Sequence, residues 1–267
     1  MAITSVDLAL AGMKPATFLS KTLSGTLVAG RPWTPFYTAG IPATAVANAA
    51  GLTGLALTTY AGQIPVPAAS GNTHLAKFSA VSSAQGGIVL LCDRLWHNSG
   101  IVVTTTTAQT VNSVAWPARD TNASTNGEGV YIGLEVSTVT GAGASVISIS
   151  YTNSAGVAGR TGTAVDVYGA SSLAGSFYRF ALQAGDTGVR SVQTFTSTVS
   201  MTSGVVHLVA YRVIGSVELI TAGLPGVIDP LTGGLPREYD NTVLFPVYLP
   251  QTTTSTQLSG TVIHTQG

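Results

Sequence analysis

The sequence predicts an all-β protein: an antiparallel β-sandwich or jelly-roll-like domain with an extended, mostly irregular N-terminal arm. Three observations point there. From His74 onward, short apolar runs and period-two alternations recur between Gly-, Ser- and Asn-rich turns, with no convincing helical period. Threonine, whose β-branch suits a pleated strand, occurs 37 times and glycine 31 times in 267 residues. Charged residues make up only 8% of the chain, against about 25% in an ordinary soluble domain. Hydrophobic residues, at 45%, are ample for a core. A surface so poor in charge is expected to lie against neighbouring subunits, because little else keeps such a chain dispersed.

Residues 1–70 read as the arm. Leu8, Leu10 and Met13 give weak apolar spacing, and Pro32, Pro35 and Pro42 interrupt regular structure. Residues 42–50, closed by Gly51, are expected as one short helix, with Pro42 at its first position and Gly at the C-cap. Residues 71–222 form the expected sandwich body. Within it, 87–92 is a continuous apolar run, as in a strand buried on both faces. Val130, Ile132, Leu134 and Val136 alternate with Tyr131, Gly133, Glu135 and Ser137, which predicts a half-buried strand. Ile147, Ile149 and Tyr151 repeat that pattern after a Gly-rich turn, and further strands are expected over 163–168, 177–182, 190–200 and 205–214. Residues 223–267 divide into a long contact loop, reaching to about 250, and a final strand over 257–264 that returns to the body.

The residues that could carry chemistry are few. Four histidines are scattered without metal-ligand spacing, and Asp93 with His97 reads as an edge histidine near a surface acid. The Asp120–Glu128 stretch alternates oxygen side chains as a calcium loop does, but its glycine falls two places late and Tyr131 stands where a bidentate Glu is needed. A polar turn is expected there instead. Cys92 is the only cysteine, so no internal disulfide can form, and its apolar surroundings predict an inert thiol. Glu135 and Asp166 both interrupt strands on outward positions and could be neighbours, yet no rim of Trp accompanies them. Trp96 and Trp116 are expected in the core. No Gly-x-Ser-x-Gly, dinucleotide or Walker pattern occurs. The expectation is a non-enzymatic protein with no cofactor and no bound metal.

The formal net charge is zero and no basic run exists, so nucleic acid is not an expected partner. Between Arg31 and Lys77 the chain carries no Lys, Arg, Asp or Glu. Five prolines break that stretch, however, and it falls short of the roughly 20 strongly apolar residues a membrane span needs. The first residues include Asp7 and no basic region, so no signal peptide is expected. The eight arginines, against three lysines, suit isolated bidentate pairs at turns or subunit contacts. Arg31, Trp33, Pro35 and Tyr37 in the arm, and Pro225, Pro236 and Arg237 in the late loop, are the expected assembly contacts.

Five segments carry a resemblance when taken together and in order. They are LAKFSAVSS (75–83), DRLWHNSG (93–100), TAQTVN (107–112), SYTNSAGVAGRT (150–161) and AGDTGVRSVQ (184–193). The series resembles virion structural proteins of tailed bacteriophages, over most of residues 25–267. It implies a particle component such as a capsid decoration (cement) protein, with no catalytic residues to carry over. The implied partners are the major capsid protein or other virion subunits, together with copies of the chain itself, a trimer being expected. The implied location is the virion, assembled in the host cytoplasm. A tail, adaptor or head-fibre subunit, with a possible host-glycan contact, is the alternative.

Overall fold

The computed structural model describes every residue except Met1, Ala2, Ser24, Asn48, Ala69 and Val167. It is all-β and its strand pairs are antiparallel, in agreement with the sequence. One short helix, α1 (Val6–Ala11), opens the described chain. The first strands are β1 (Thr17–Leu23), β2 (Gly40–Ile41), β3 (Leu55–Ala56), β4 (Thr73–Ser82), β5 (Gly87–His97) and β6 (Gln109–Thr110). Next come β7 (Val130–Thr138), β8 (Ile147–Asn153), β9 (Arg160–Ala164), β10 (Phe177–Ala181) and β11 (Val189–Ser197). The last are β12 (Val205–Leu219), β13 (Gly226–Ile228), β14 (Arg237–Glu238), β15 (Leu244–Pro250) and β16 (Thr256–Gln266).

The strands fall into two compact units. The first comprises residues 1–46, 59–93 and 213–267, and the second residues 47–58 and 94–212. The first unit is a two-layer sandwich. One layer runs β13-β4-β16-β1-β2, and β15 with the adjoining parts of β5 and β12 makes the other. Their inner faces share one cluster: Leu19, Leu23, Phe78, Leu258 and Val262 from the first layer meet Val89, Leu91, Val217, Leu244 and Tyr248 from the second. Removing this much apolar surface from water, at roughly 25 cal/mol per Å², is what holds two layers of small-residue strands together.

In the second unit the sheet runs β12-β7-β10-β9-β8-β11-β6. β11 also contacts β7, so the sheet curls around a cluster that includes Ile132, Leu134, Ile149, Tyr151, Val192 and Leu208. Trp96 and Trp116 are buried in that cluster with ring centroids 6.3 Å apart, and the Trp96 Nε1 donates to the Thr53 carbonyl at 3.0 Å. The strands expected over 177–182, 190–200 and 257–264 are β10, β11 and β16 within a few residues. The one expected over 163–168 is displaced to Arg160–Ala164, and Val167 lies outside the described residues.

Three expectations need correction. The segment 1–70 is not an irregular arm throughout: β1 lies between β16 and β2 in register from Thr17↔Val262 to Leu23↔Thr256, and Leu19, Leu23, Leu27, Trp33 and Phe36 are core residues. Among the described residues no helix occupies 42–50, and Asn48 lies outside them. Backbone groups there bond at long range instead: Ala45 N–H reaches the Phe36 carbonyl at 2.9 Å, and the Val46 carbonyl accepts from the Tyr60 hydroxyl at 2.7 Å. The stretch 223–250 is not one long loop, because Leu244–Pro250 pairs with β5 along its whole length.

Prolines hide that strand. Gly30, Thr34 and Trp33 bond the carbonyls of Pro250, Pro246 and Tyr248 respectively, and Tyr248 N–H returns a bond to Trp33. The even-numbered residues therefore aim their backbone groups away from β5, so Pro246 and Pro250 remove no bond from that ladder.

Candidate assembly surface

The outer face of the β13-β4-β16-β1-β2 layer is the most distinctive surface of the first unit. Alternation along β1, β4 and β16 points Leu19, Leu23, Phe78 and Val262 inward, which leaves their neighbours outward. One row across the sheet reads Val227, Ser79, Thr261, Phe18. The next reads Val81, Ser259, Ser20, Ile41. Phe18, Ile41 and Val227 are 50%, 52% and 47% exposed, large for apolar side chains on a sheet face. The hydroxyls between them bond one another: Ser79 with Thr261 at 2.7 Å and Ser20 with Ser259 at 3.3 Å. Lys77 is the one charged residue that β1, β4 and β16 present on this face.

Burial sharpens the shortage of charge. Of the 22 charged side chains, eight are buried (Lys21, Asp93, Arg94, Arg119, Asp120, Glu135, Arg212 and Glu238), leaving 14 for the whole surface. The first unit also exposes apolar groups at α1, where Val6 and Leu10 are 75% and 62% exposed. These two, with Ile3, Met13, Ala76 and Leu235, line a groove of about 370 Å³. Nearby in the chain, Asp229 accepts from the N–H groups of Leu231 and Thr232, a turn that holds Leu231 out at 96% exposure.

The contact residues expected from sequence are not gathered on one surface. Trp33 and Pro35 are buried, Trp33 strapping the edge of β15; Arg31 and Tyr37 are half-buried. Pro225 is exposed and Pro236 half-buried. Arg237 is engaged within its own chain: it donates to the Thr73 carbonyl at 2.7 Å, to Asn72 Oδ1 at 2.9 Å and to the Glu238 carbonyl, and lies over the Tyr239 ring. Sequence reasoning missed Phe18, Ile41 and Val227, because nothing local says which face of a strand a partner strand will leave open.

The groups that could have carried chemistry are built into the fold. Glu135 is fully buried rather than outward. Both its oxygens accept from Arg94, at 3.0 and 2.6 Å. The same guanidinium lies against Nδ1 of His97, at 3.2 and 3.0 Å, so that nitrogen is the acceptor and the imidazole is neutral. Burial first, then the Arg94 charge, drives the His97 pKa down to about 2. His207, bonded to the Asn98 carbonyl and to Ser137 Oγ, is also held below its ordinary value, mainly by burial. His97 is thus a partner of Arg94, and Asp93 instead accepts from the Val243 N–H. The Asp120 carboxylate accepts from the N–H groups of Asn122, Ser124, Gly127 and Glu128 and from the Ser124 hydroxyl. It organises a turn and has little capacity left for a cation. A Cβ at Gly127, whose φ is +83°, would sit 1.9 Å from the Val189 carbonyl oxygen.

Two of the segments that carry the phage resemblance meet at Asp186. Its carboxylate accepts from Tyr151 Oη at 2.5 Å, Asn153 Nδ2 at 2.7 Å and Arg160 Nε at 2.9 Å, and Arg160 foremost holds it down to about 2. The Asp186 carboxylate therefore ties the turn after β8 to the turn before β11 in the second unit. Among the described residues no group of three or more His, Cys, Asp or Glu is placed to hold a metal, and no helix is long and apolar enough to cross a membrane.

No protein-family model matches the chain, and no curated protein matches it. Among solved structures, that of the infectious bursal disease virus Gt strain aligns at a TM-score of 0.21 with 10% identity, covering 95% of this chain and 82% of that one. The VP2 subviral particle of the same virus aligns at 0.19 with 9% identity, covering 96% and 82%. Scores this low do not establish a shared fold.

Proposed function

We propose that the chain is a non-enzymatic structural subunit of a virion, and within that class a decoration (cement) protein on a tailed-phage head. The observation that carries the reading is the outer sheet face of the first unit. It is almost uncharged, and studded with Phe18, Ile41 and Val227 among hydroxyls that already bond each other. Such a face is ill suited to permanent contact with water and well suited to burial. The ordered resemblance to phage virion proteins supplies the setting, and the all-β architecture is compatible with it. A subunit that binds only the assembled shell stabilises it by linkage, since binding lowers the free energy of that state alone.

The test is co-sedimentation of the purified chain with shells lacking it, followed by heating. Binding at a fixed ratio to the shell protein, with a raised shell melting temperature, is expected. Absence of the chain from washed particles would remove the proposal. Truncating residues 1–40 is not a usable test, because it removes β1 and Trp33 from the core.

A further inference from the structure

We infer that the outer face of the β13-β4-β16-β1-β2 layer packs against the same face of a second copy of this chain, about a two-fold axis. The inference deepens the reading of the chain as an assembling subunit and rests on it for its biological sense. Three features favour a second copy as the occupant. A two-fold contact sets each residue against its own symmetry mate, so a face rich in one charge repels itself. Here Lys77 is the one charge that β1, β4 and β16 present on this face, since Lys21 points inward, and it lines a recess together with Asp229 of the same chain, which answers it. Outward positions in the second unit differ, since strands β9, β10 and β11 there carry Arg160, Arg179 and Arg190.

The polar groups in the middle of the face are also already satisfied. Ser79 bonds Thr261, and Ser20 takes both Ser259 and the Gln257 side chain. Burying them strips little that water alone was satisfying, so the desolvation that usually opposes association is small.

The area fits as well. The five strands, of 3, 10, 11, 7 and 2 residues, at about 3.4 Å rise and about 4.8 Å spacing give a face of roughly 540 Å² in plan. That is close to the roughly 800 Å² per partner of a standard interface once its relief is counted. Two such sheets stack at about 10 Å, with Phe18, Ile41 and Val227 filling the layer between them. The contact yields dimers, or higher states with even numbers of copies, in place of the trimer expected from sequence.

Sedimentation velocity of the full chain over a wide concentration range tests this. The wild type is expected at twice the chain mass. Thr261→Lys, which sets like charges against each other across the axis, should weaken association at least tenfold, and Phe18→Lys should do the same. Val157→Lys, at an exposed position of the second unit, should leave it unchanged. Circular dichroism and thermal melting confirm that each variant folds; should Thr261→Lys not fold, Phe18→Lys decides. A monomer at all concentrations, a trimer, or an oligomer indifferent to the folded face variants would overturn the inference. None of those results bears on whether the chain co-sediments with particles, so the two readings fail separately.

Discussion

Glu135→Gln is the sharpest test of the buried charge cluster in the second unit. In the wild type both carboxylate oxygens of Glu135 accept from Arg94, at 3.0 and 2.6 Å, and both residues are fully buried. Glutamine keeps the shape and one acceptor. It also turns an amide NH₂ toward a guanidinium N–H and removes the charge that compensates Arg94. A hydrogen bond to a charged group is worth about 1.5–3 kcal/mol, and breaking a buried pair from one side costs about 3–5 kcal/mol. The expected destabilisation is therefore about 3 kcal/mol. Trp96 and Trp116 both lie in the second unit and Trp33 in the first, so urea unfolding followed by fluorescence in a Trp33→Phe background reports the second unit. The pair Arg94→Met/Glu135→Leu, which removes both charges, should cost less than Glu135→Gln alone, because no unpaired charge stays buried. A cost below about 1 kcal/mol for Glu135→Gln, or a double variant less stable than the single, would refute the assignment.

Four further outcomes are expected. His97 is held neutral in the fold down to about pH 2, whereas its unfolded value lies near 6.5. The unfolded chain therefore binds the extra proton first, and the second unit should lose about 1.4 kcal/mol per pH unit as the pH falls below about 6.5; a flat profile between pH 6 and 4 would contradict this. Lys21 is the opposite window. Burial lowers its pKa to about 8 while its Nζ donates to the Thr38 and Ala43 carbonyls, so stability should rise between about pH 8 and 10.5 in the wild type, and denaturant melts of Lys21→Met should lose that rise. Gly133→Val places a Cβ 2.2 Å from the Phe177 ring, and should cost about 1–3 kcal/mol or more, partly recovered by Phe177→Ala in the same melts. Asp120→Ala strands four backbone N–H groups of its turn and should speed amide exchange at Asn122, Ser124 and Gly127, with no response to added calcium before or after.

Much of the fold was legible because most strands obey a simple period. β8 announces itself by alternation, and β5 and β12 by their long, mostly apolar runs. β1 did not, for a physical reason: Lys21 occupies an inward position between Leu19 and Leu23, bonded to two carbonyls, while Phe18 points out, so its alternation reads as broken. β7 misled in the other sense. Its alternation is real, but Phe177 covers Gly133 and Arg94 reaches Glu135, so a strand expected to face solvent on one side is buried on both. β15 was concealed by prolines that the sheet edge tolerates. The candidate surface was less legible still. The shortage of charge was plain from composition, but its concentration on one sheet face depends on the long-range pairing of β1, β16 and β4, which no local pattern encodes.

The central claim is that this chain is a repeated structural part of a virion. Electron cryo-microscopy of purified, washed particles made in its presence tests it most directly. The account predicts density matching the two β units at regularly repeated positions on the particle, in fixed proportion to the shell protein. Particles complete and stable without such density, with the chain left in the soluble fraction, would contradict it.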